Sequence, residues 1–329
     1  MSIQLKPPAS VASSATAASA VRPRSRLRAR VRRLDGKVSP YLYVAPFFVI
    51  FGVFGVFPLV YTGYISLTDR TLLNPTSHWI GLHNYSELLH DSYFWNAVEN
   101  TLGIWALSTV PQLILALLLA HVLNTRLRAR MLFRMGVLLP QVTSLVAVAL
   151  IFTQLFGHDY GLINYVLGQL GIHKVYWEAG RFSSWVALSV MVIWRWTGYN
   201  ALIYLAAMQS IPDELYEAAA IDGARRWKQF IHVTVPMLRP TIIFTVIIST
   251  IGGLQLFTEP YLFEPNTNQP TGGSARQYQT IVLYLYEKAF GSSSFKFGYA
   301  AAIAWCLVLL IAVISTINFL LVRRIRTAE

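Results

Sequence analysis

Six long apolar stretches constrain what this chain can fold into. They cover residues 41–67, 97–124, 131–156, 184–208, 241–263 and 299–322, and none contains more than one Asp, Glu, Lys or Arg. A helix of about 20 residues crosses the roughly 30 Å hydrocarbon core of a bilayer. Strict polar and apolar alternation, which barrel strands need, is missing from these runs. Because a backbone in lipid must satisfy its own hydrogen bonds, the sequence predicts an all-α membrane protein with six transmembrane helices.

The basic residues predict how this bundle is oriented. Twenty of the 27 Lys and Arg residues belong to the amino-terminal segment, the second and fourth connections and the carboxyl terminus, whereas six belong to the other connections. Cytoplasmic flanks are enriched in Lys and Arg, so both termini are expected inside. We expect residues 1–40 to be a disordered basic tail, residues 41–322 to form one transmembrane domain, and residues 323–329 to form a short cytoplasmic tail.

Composition also excludes several classes of protein. The net charge of +12 lies mainly on the predicted cytoplasmic flanks, where anionic lipid accounts for it, so no nucleic-acid partner is expected. The single cysteine permits no intramolecular disulfide. Hydrolase, redox and metal-site motifs are missing, and so is the phosphate-binding loop of ATPases. We therefore expect neither an enzyme nor a chain that binds a cofactor or metal itself.

Residues 210–236, between the fourth and fifth stretches, have the pattern of two short helices. Ser210 is a candidate amino-terminal cap, and Pro212 suits a first helical turn. Gly223 is expected to end the first helix, and a second helical stretch should cover residues 224–233. The charge pattern places this pair on the cytoplasmic side. An amphipathic loop resting on lipid headgroups is the alternative explanation of the same composition.

The spacing within this segment is more specific than its composition. Glu217-Ala218-Ala219, three residues, Gly223, nine residues and then residues 233–236 resemble the EAA signature of binding-protein-dependent ABC importer permeases. Val233 and Val235 replace the usual Ile and Leu. The resemblance implies a type I ABC importer permease fold in which this segment is a coupling helix that docks on a separate ATPase. Its implied contact residues are Glu217, Ala218, Ala219, Asp222, Gly223 and Ala224.

The resemblance also implies the rest of the assembly. Such a chain is half of the channel in a bacterial cytoplasmic membrane, and it pairs with a second, homologous permease. Two ATPase subunits bind ATP and Mg, and an extracytoplasmic binding protein delivers the substrate.

Other stretches resemble the carbohydrate-uptake branch of these permeases, the maltose and glycerol-phosphate type. They are residues 81–85, of sequence Gly-Leu-His-Asn-Tyr, and residues 297–302. The sequence of residues 252–260, Gly-Gly-Leu-Gln-Leu-Phe-Thr-Glu-Pro, most resembles that of cello-oligosaccharide permeases. A sugar or oligosaccharide is therefore the expected cargo.

The fourth and fifth stretches contain the candidate substrate residues. A charge at membrane depth usually faces a pathway or a partner, and Arg195 is such a charge. Aromatic faces stack on sugar rings and polar groups bind sugar hydroxyls. Tyr199 stands 18 residues before Glu217, the spacing of a sugar-contacting tyrosine in maltose-type permeases. The candidates are Trp194, Arg195, Trp196, Tyr199, Asn200, Gln255 and Glu259.

Two alternatives remain open from the sequence. Arg195 and Glu259 are expected either to contact substrate or to pair with each other. An ion-coupled secondary transporter, with these two residues as its relay, is the rival function.

Overall fold

A computed structural model describes residues 41–72, 76–125, 129–263, 271–291 and 295–327. The predicted tail at residues 1–40 lies outside the described residues. Among the described residues, 41–60 belong to one unit and those from Tyr61 onward to another. An isolated antiparallel bridge joins Thr68 to Trp79, and the regular elements of the described residues are helical, which confirms the all-α prediction.

Thirteen helices can be followed through the described residues. In chain order they are α1 Tyr41–Ser66, α2 His83–His90, α3 Ser92–Leu123, α4 Arg130–Val142, α5 Leu145–Leu155, α6 Leu162–Gln169, α7 Arg181–Met208, α8 Asp213–Ile221, α9 Arg226–Met237, α10 Arg239–Leu254, α11 Thr258–Phe263, α12 Ile281–Phe290 and α13 Phe297–Thr327.

Within the described part of the chain, four helices are long and apolar enough to cross a membrane alone: α1, α3, α7 and α13, the last over Phe297–Leu320. Two further spans are bent pairs. The helices α4 and α5 meet at 89°, and α9 and α10 meet at 70°. The predicted count of six spans holds when each bent pair counts as one span.

The predicted spans at residues 131–156 and 241–263 are each divided between two helices. Residues 131–156 break at Thr143, whose backbone is extended and whose hydroxyl donates to the carbonyl of Leu139 at 2.8 Å. Pro140, which has no N–H, lies in the turn before the break. Residues 241–263 also divide, because α10 ends at Leu254 after two consecutive glycines, which are poor helix formers.

The helices α3 and α7 form the centre of the second unit. Tyr204 of α7 is buried, and its hydroxyl hydrogen-bonds the Thr245 hydroxyl of α10 at 2.6 Å. On another side of α7, Gly198 packs against α4 so closely that a Cβ would lie 1.8 Å from the Val137 carbonyl oxygen. Three apolar clusters surround this pair, of which one includes Ile104, Phe152 and Leu188, another Ala120, Tyr204 and Phe230, and the third Leu88, Tyr284 and Ile303.

A polar network fixes the segment of residues 271–280 to the start of α3. Asn96 and Asn100 donate to the carbonyl oxygen of Arg276 at 2.8 and 2.9 Å. The Arg276 guanidinium forms a bidentate pair with Glu287 of α12 at 2.6 and 2.7 Å. Its hydrogen bonds to Glu287 raise the pKa of Arg276. The backbone of the segment is thereby joined to the start of α3, and its Arg276 side chain is joined to α12.

A second polar cluster lies where α2 ends and α3 begins. Asp91 caps α3 by accepting from the Tyr93 N–H at 2.9 Å. It also accepts from the hydroxyl of Tyr284 and, at 2.7 Å, from that of Tyr299. Burial alone would raise the pKa of Asp91, but these hydrogen bonds outweigh it and lower the pKa.

Candidate functional site

The connection between α7 and α10 forms a compact knob, the segment of residues 210–236. Helix α8 ends at Ile221, and Gly223 adopts φ +77, a conformation that L side chains rarely take. The turn that follows α8 is closed by the backbone N–H of Ala224, which donates to the Ala219 carbonyl at 2.9 Å. Gly223 therefore ends the first helix, as the sequence predicted.

Two details of the knob differ from the prediction. Pro212, not Ser210, precedes the first turn of α8, and no side chain caps this helix. Ser210 instead donates its hydroxyl back to the Ala207 carbonyl at 2.8 Å, because it lies in the turn that ends α7. The second helix continues through Pro236, since a π-helical turn at Phe230–Thr234 carries the chain past that proline.

Side-chain contacts tie the two helices of the knob together. The hydroxyls of Tyr216 and Thr234 lie 3.0 Å apart, and Gln229 Nε2 donates to the Ala224 carbonyl at 3.0 Å. Phe230 is buried, and its ring centroid lies 4.3 Å from that of His121 near the end of α3. The base of the knob is thus packed on the core of the bundle.

The outer surface of the knob is exposed. Glu217, Ala218, Asp222 and Gly223 are exposed, while Ala219 and Ala224 are partly buried. Ile221 at the tip of α8 is 87% exposed, and Trp227 is 57% exposed. A projecting knob with apolar side chains at its tip has the shape and chemistry of a docking element.

The candidate substrate residues separate into three groups. Trp196, Tyr199 and Asn200 of α7 line one small cavity of about 30 Å³. The rings of Trp196 and Tyr199 meet edge to face at 6.0 Å, and Tyr199 is 40% exposed. The Asn200 amide donates to the Ser249 hydroxyl of α10 at 3.4 Å. These three residues share one face of α7, as their spacing of three and four residues requires.

Arg195 and Glu259 form the second group and approach each other. Arg195 Nη1 lies 4.0 Å from Glu259 Oε1, and both side chains are largely buried. The guanidinium carbon also lies 5.7 Å from the Trp196 ring centroid. This approach corresponds to the mutual pairing that was one of the two arrangements expected for Arg195 and Glu259.

Trp194 and Gln255 form the third group and line no part of this cavity. Trp194 packs on Phe152 of α5, with ring centroids 5.5 Å apart, and keeps 42% of its surface exposed. Gln255 is exposed at the end of α10.

The cavity also contains residues that the sequence analysis missed. Thr109 and Gln112 of α3 and Ser249 of α10 line it. The available signal for Thr109 and Gln112 was their polar character within a mainly apolar stretch, because polar side chains within a span usually face protein.

Comparison with known proteins is consistent with this architecture. The family described as binding-protein-dependent transport system inner membrane component matches residues 112–327. The lactose transport system permease protein LacF of Rhizobium radiobacter is 39% identical over 286 residues, which are 86% of this chain and 93% of the relative. The arabinooligosaccharides transport system permease protein AraP of Halalkalibacterium halodurans is 36% identical over 284 residues, which are 85% of this chain and 86% of the relative.

A solved structure has the same fold. A chain of a bacterial alginate ABC transporter, crystallised in complex with an alginate pentasaccharide-bound periplasmic protein, superposes with a TM-score of 0.74. It is 24% identical, and the match covers 89% of this chain and 97% of that chain. The chain therefore belongs to the inner-membrane permease components of binding-protein-dependent ABC importers, in the carbohydrate-uptake family predicted from its sequence.

Proposed function

We propose that this chain is one of two different permease halves of a bacterial sugar importer. The observation that carries the proposal is the cavity between α3, α7 and α10, where the Trp196 and Tyr199 rings adjoin the polar groups of Asn200 and Ser249. Aromatic faces and hydrogen-bonding groups on one wall are what a sugar requires. The names of the relatives, which transport lactose and arabino-oligosaccharides, support the same class of cargo.

The exposed knob supports the second part of the proposal. Glu217, Asp222 and the tip residue Ile221 face outward, so they are free to enter a groove on an ATPase subunit. Two ATPase subunits hold ATP and Mg and drive the cycle by pushing on this knob and on its counterpart in the partner permease. Both termini lie in the cytoplasm, and an extracytoplasmic binding protein supplies the sugar.

Uptake into membrane vesicles tests the proposal. The chain is co-expressed with its partner permease, ATPase and binding protein, and uptake of lactose, maltose, cellobiose and arabinobiose is measured. We expect uptake of at least one sugar to require ATP and to persist with an uncoupler. Uptake that needs an ion gradient and ignores ATP would establish the rival, an ion-coupled transporter in which Arg195 and Glu259 form the relay.

Tyr199→Ala locates the substrate path within that assay. We expect it to abolish sugar uptake while the ATPase still co-purifies, because the stacking surface is lost and the knob is untouched. Phe182→Ala is the matched control, since it removes an exposed aromatic ring from the far end of the same helix. Equal uptake by wild type and Tyr199→Ala would remove Tyr199 from the path.

Ile221→Asp examines the knob separately. The side chain is 87% exposed, so the substitution should not disturb the fold of this chain. We expect the ATPase to stop co-purifying, because a charge would replace an apolar docking contact. Retained ATPase with normal sugar-stimulated hydrolysis would contradict docking through the tip of α8.

A further inference from the structure

Two polar residues of α3, Thr109 and Gln112, line the cavity, and Trp105 lies one turn before them. Trp105, Thr109 and Gln112 are spaced by four and three residues, so they lie on one face of the helix. A Cβ on Gly253 would lie 2.9 Å from Trp105 Cδ1 and 3.1 Å from Thr109 Oγ1. Helix α10 therefore comes close to this row because position 253 has no side chain.

Gln112 carries a hydrogen-bond donor that the protein does not use. The residue is 2% exposed, and its Nε2 is buried with no partner among the described residues. Buried polar groups are nearly always paired, so an unpaired one in a native structure calls for an explanation. Asn200 on the facing wall differs, because its amide bonds Ser249.

The size of the cavity limits what can pair with Gln112. A volume of about 30 Å³ holds one or two water-sized groups but not a pyranose ring. One hydroxyl or hydroxymethyl group would fit, provided that the rest of the sugar lies outside against the exposed face of Tyr199.

We infer that Gln112 is a specificity-determining residue of the sugar path, which donates its amide N–H to one hydroxyl of the transported sugar. The inference rests on the proposed sugar-import function. The nitrogen is covered in this conformation, so the hydroxyl reaches it when a small separation of the helices around the cavity uncovers it during the transport cycle. Helix α3 thereby supplies a third wall of the substrate site.

The test uses the complete transporter. Its substrate is whichever of lactose, maltose, cellobiose and arabinobiose the wild type takes up best. Its monodeoxy analogues are compared in wild type and in Gln112→Met, which keeps the shape of the side chain and removes the donor. In wild type we expect one deoxy position to lower uptake kcat/KM about tenfold, the cost of one lost hydrogen bond. In Gln112→Met, uptake kcat/KM for the parent sugar should fall about tenfold. The deoxy analogue that was impaired in wild type should then be taken up as well as the parent sugar.

A purely structural role predicts a different result. Such a role would lower uptake kcat/KM for the parent sugar and for all analogues by one common factor. That outcome would overturn the inference. Gln141→Met is the matched control, because Gln141 Oε1 is also buried and unpartnered in the described residues, while the residue does not line this cavity. If Gln112→Met does not assemble, Gln112→Glu keeps the shape and replaces the donor by an acceptor, so the position-specific penalty should again vanish. Absence of uptake of all four sugars by wild type would overturn the proposed function itself, and the inference with it.

Discussion

Arg195 Nη1 lies 4.0 Å from Glu259 Oε1, and this contact joins α7 to the short helix α11. The exposed fractions of the two side chains are 16% and 5%, so both charges are largely removed from bulk water. Removal of one member of such a pair leaves the other charge buried alone, whereas removal of both does not.

The pair therefore predicts a non-additive stability effect. We expect Arg195→Met and Glu259→Leu each to destabilise the detergent-solubilised complex by about 3–5 kcal/mol. The double variant should be more stable than either single variant, as thermal unfolding would reveal. Losses that simply add would mean that the two groups do not interact.

Gly223 predicts a backbone effect in the knob. Its φ of +77 strains any L residue, although a Cβ would meet no atom within 4 Å. We expect Gly223→Val to lower sugar-stimulated ATPase activity severalfold, and Gly223→Asn to lower it less, because Asn tolerates this region. Gly136→Ala is the control, since position 136 has equal space and ordinary helical geometry. Equal activity of the Val and Asn variants would argue against backbone strain as the cause.

Gly198 predicts a packing effect of another kind. A Cβ there would lie 1.8 Å from the Val137 carbonyl oxygen, so alanine forces α4 and α7 apart. We expect Gly198→Ala to destabilise the complex by about 1–3 kcal/mol in thermal unfolding. Gly168→Ala, where nothing lies within 4 Å, should be neutral or stabilising. A Gly198→Ala complex with an unchanged midpoint would show that the two helices separate without cost.

Asp91 predicts how stability depends on pH. Its folded pKa lies below the ordinary value of 3.8, so the stability that it contributes is complete above that value and is lost as pH falls through the lower folded pKa. We expect Asp91→Asn to lose about 1–3 kcal/mol at neutral pH, the usual cost of hydrogen bonds to a charged group. Its unfolding midpoint should also vary less than that of wild type below about pH 4.

Tyr284→Phe provides the complementary test of the same cluster. It removes a hydrogen-bond donor to Asp91, so the folded pKa of Asp91 rises. The loss of stability on protonation of Asp91 should therefore occur at higher pH than in wild type. An unchanged acid profile in both variants would exclude Asp91 as its source.

The sequence predicted the elements whose signal is local. Apolar length gave the spans, and the stop at Gly223 followed from the residue type that a left-handed turn favours. The break at Thr143 was missed, because hydropathy does not record where a helix bends. Glu259 was placed near Arg195 only as one of two alternatives, since a pairing across 64 positions depends on how α7 and α11 pack.

The rotation of each helix about its axis was the information that the sequence lacked. Trp194 and Trp196 are two positions apart, yet one packs on Phe152 and the other lines the cavity. Gln112 was overlooked for the same reason, since its polar character did not reveal that it faces α7 and α10.

The unbroken length of α3 has a mechanical consequence. At about 1.5 Å per residue, its 32 residues extend for about 48 Å. One end carries Asn96 and Asn100, which hold the Arg276 carbonyl, and the other carries His121 against Phe230 at the base of the knob. The neighbouring pairs α4–α5 and α9–α10 are bent by 89° and 70°, whereas α3 continues as one helix past Pro111 and connects the two regions at its ends. In the proposed importer, a displacement of the knob by an ATPase would therefore travel along α3 to the segment of residues 271–280.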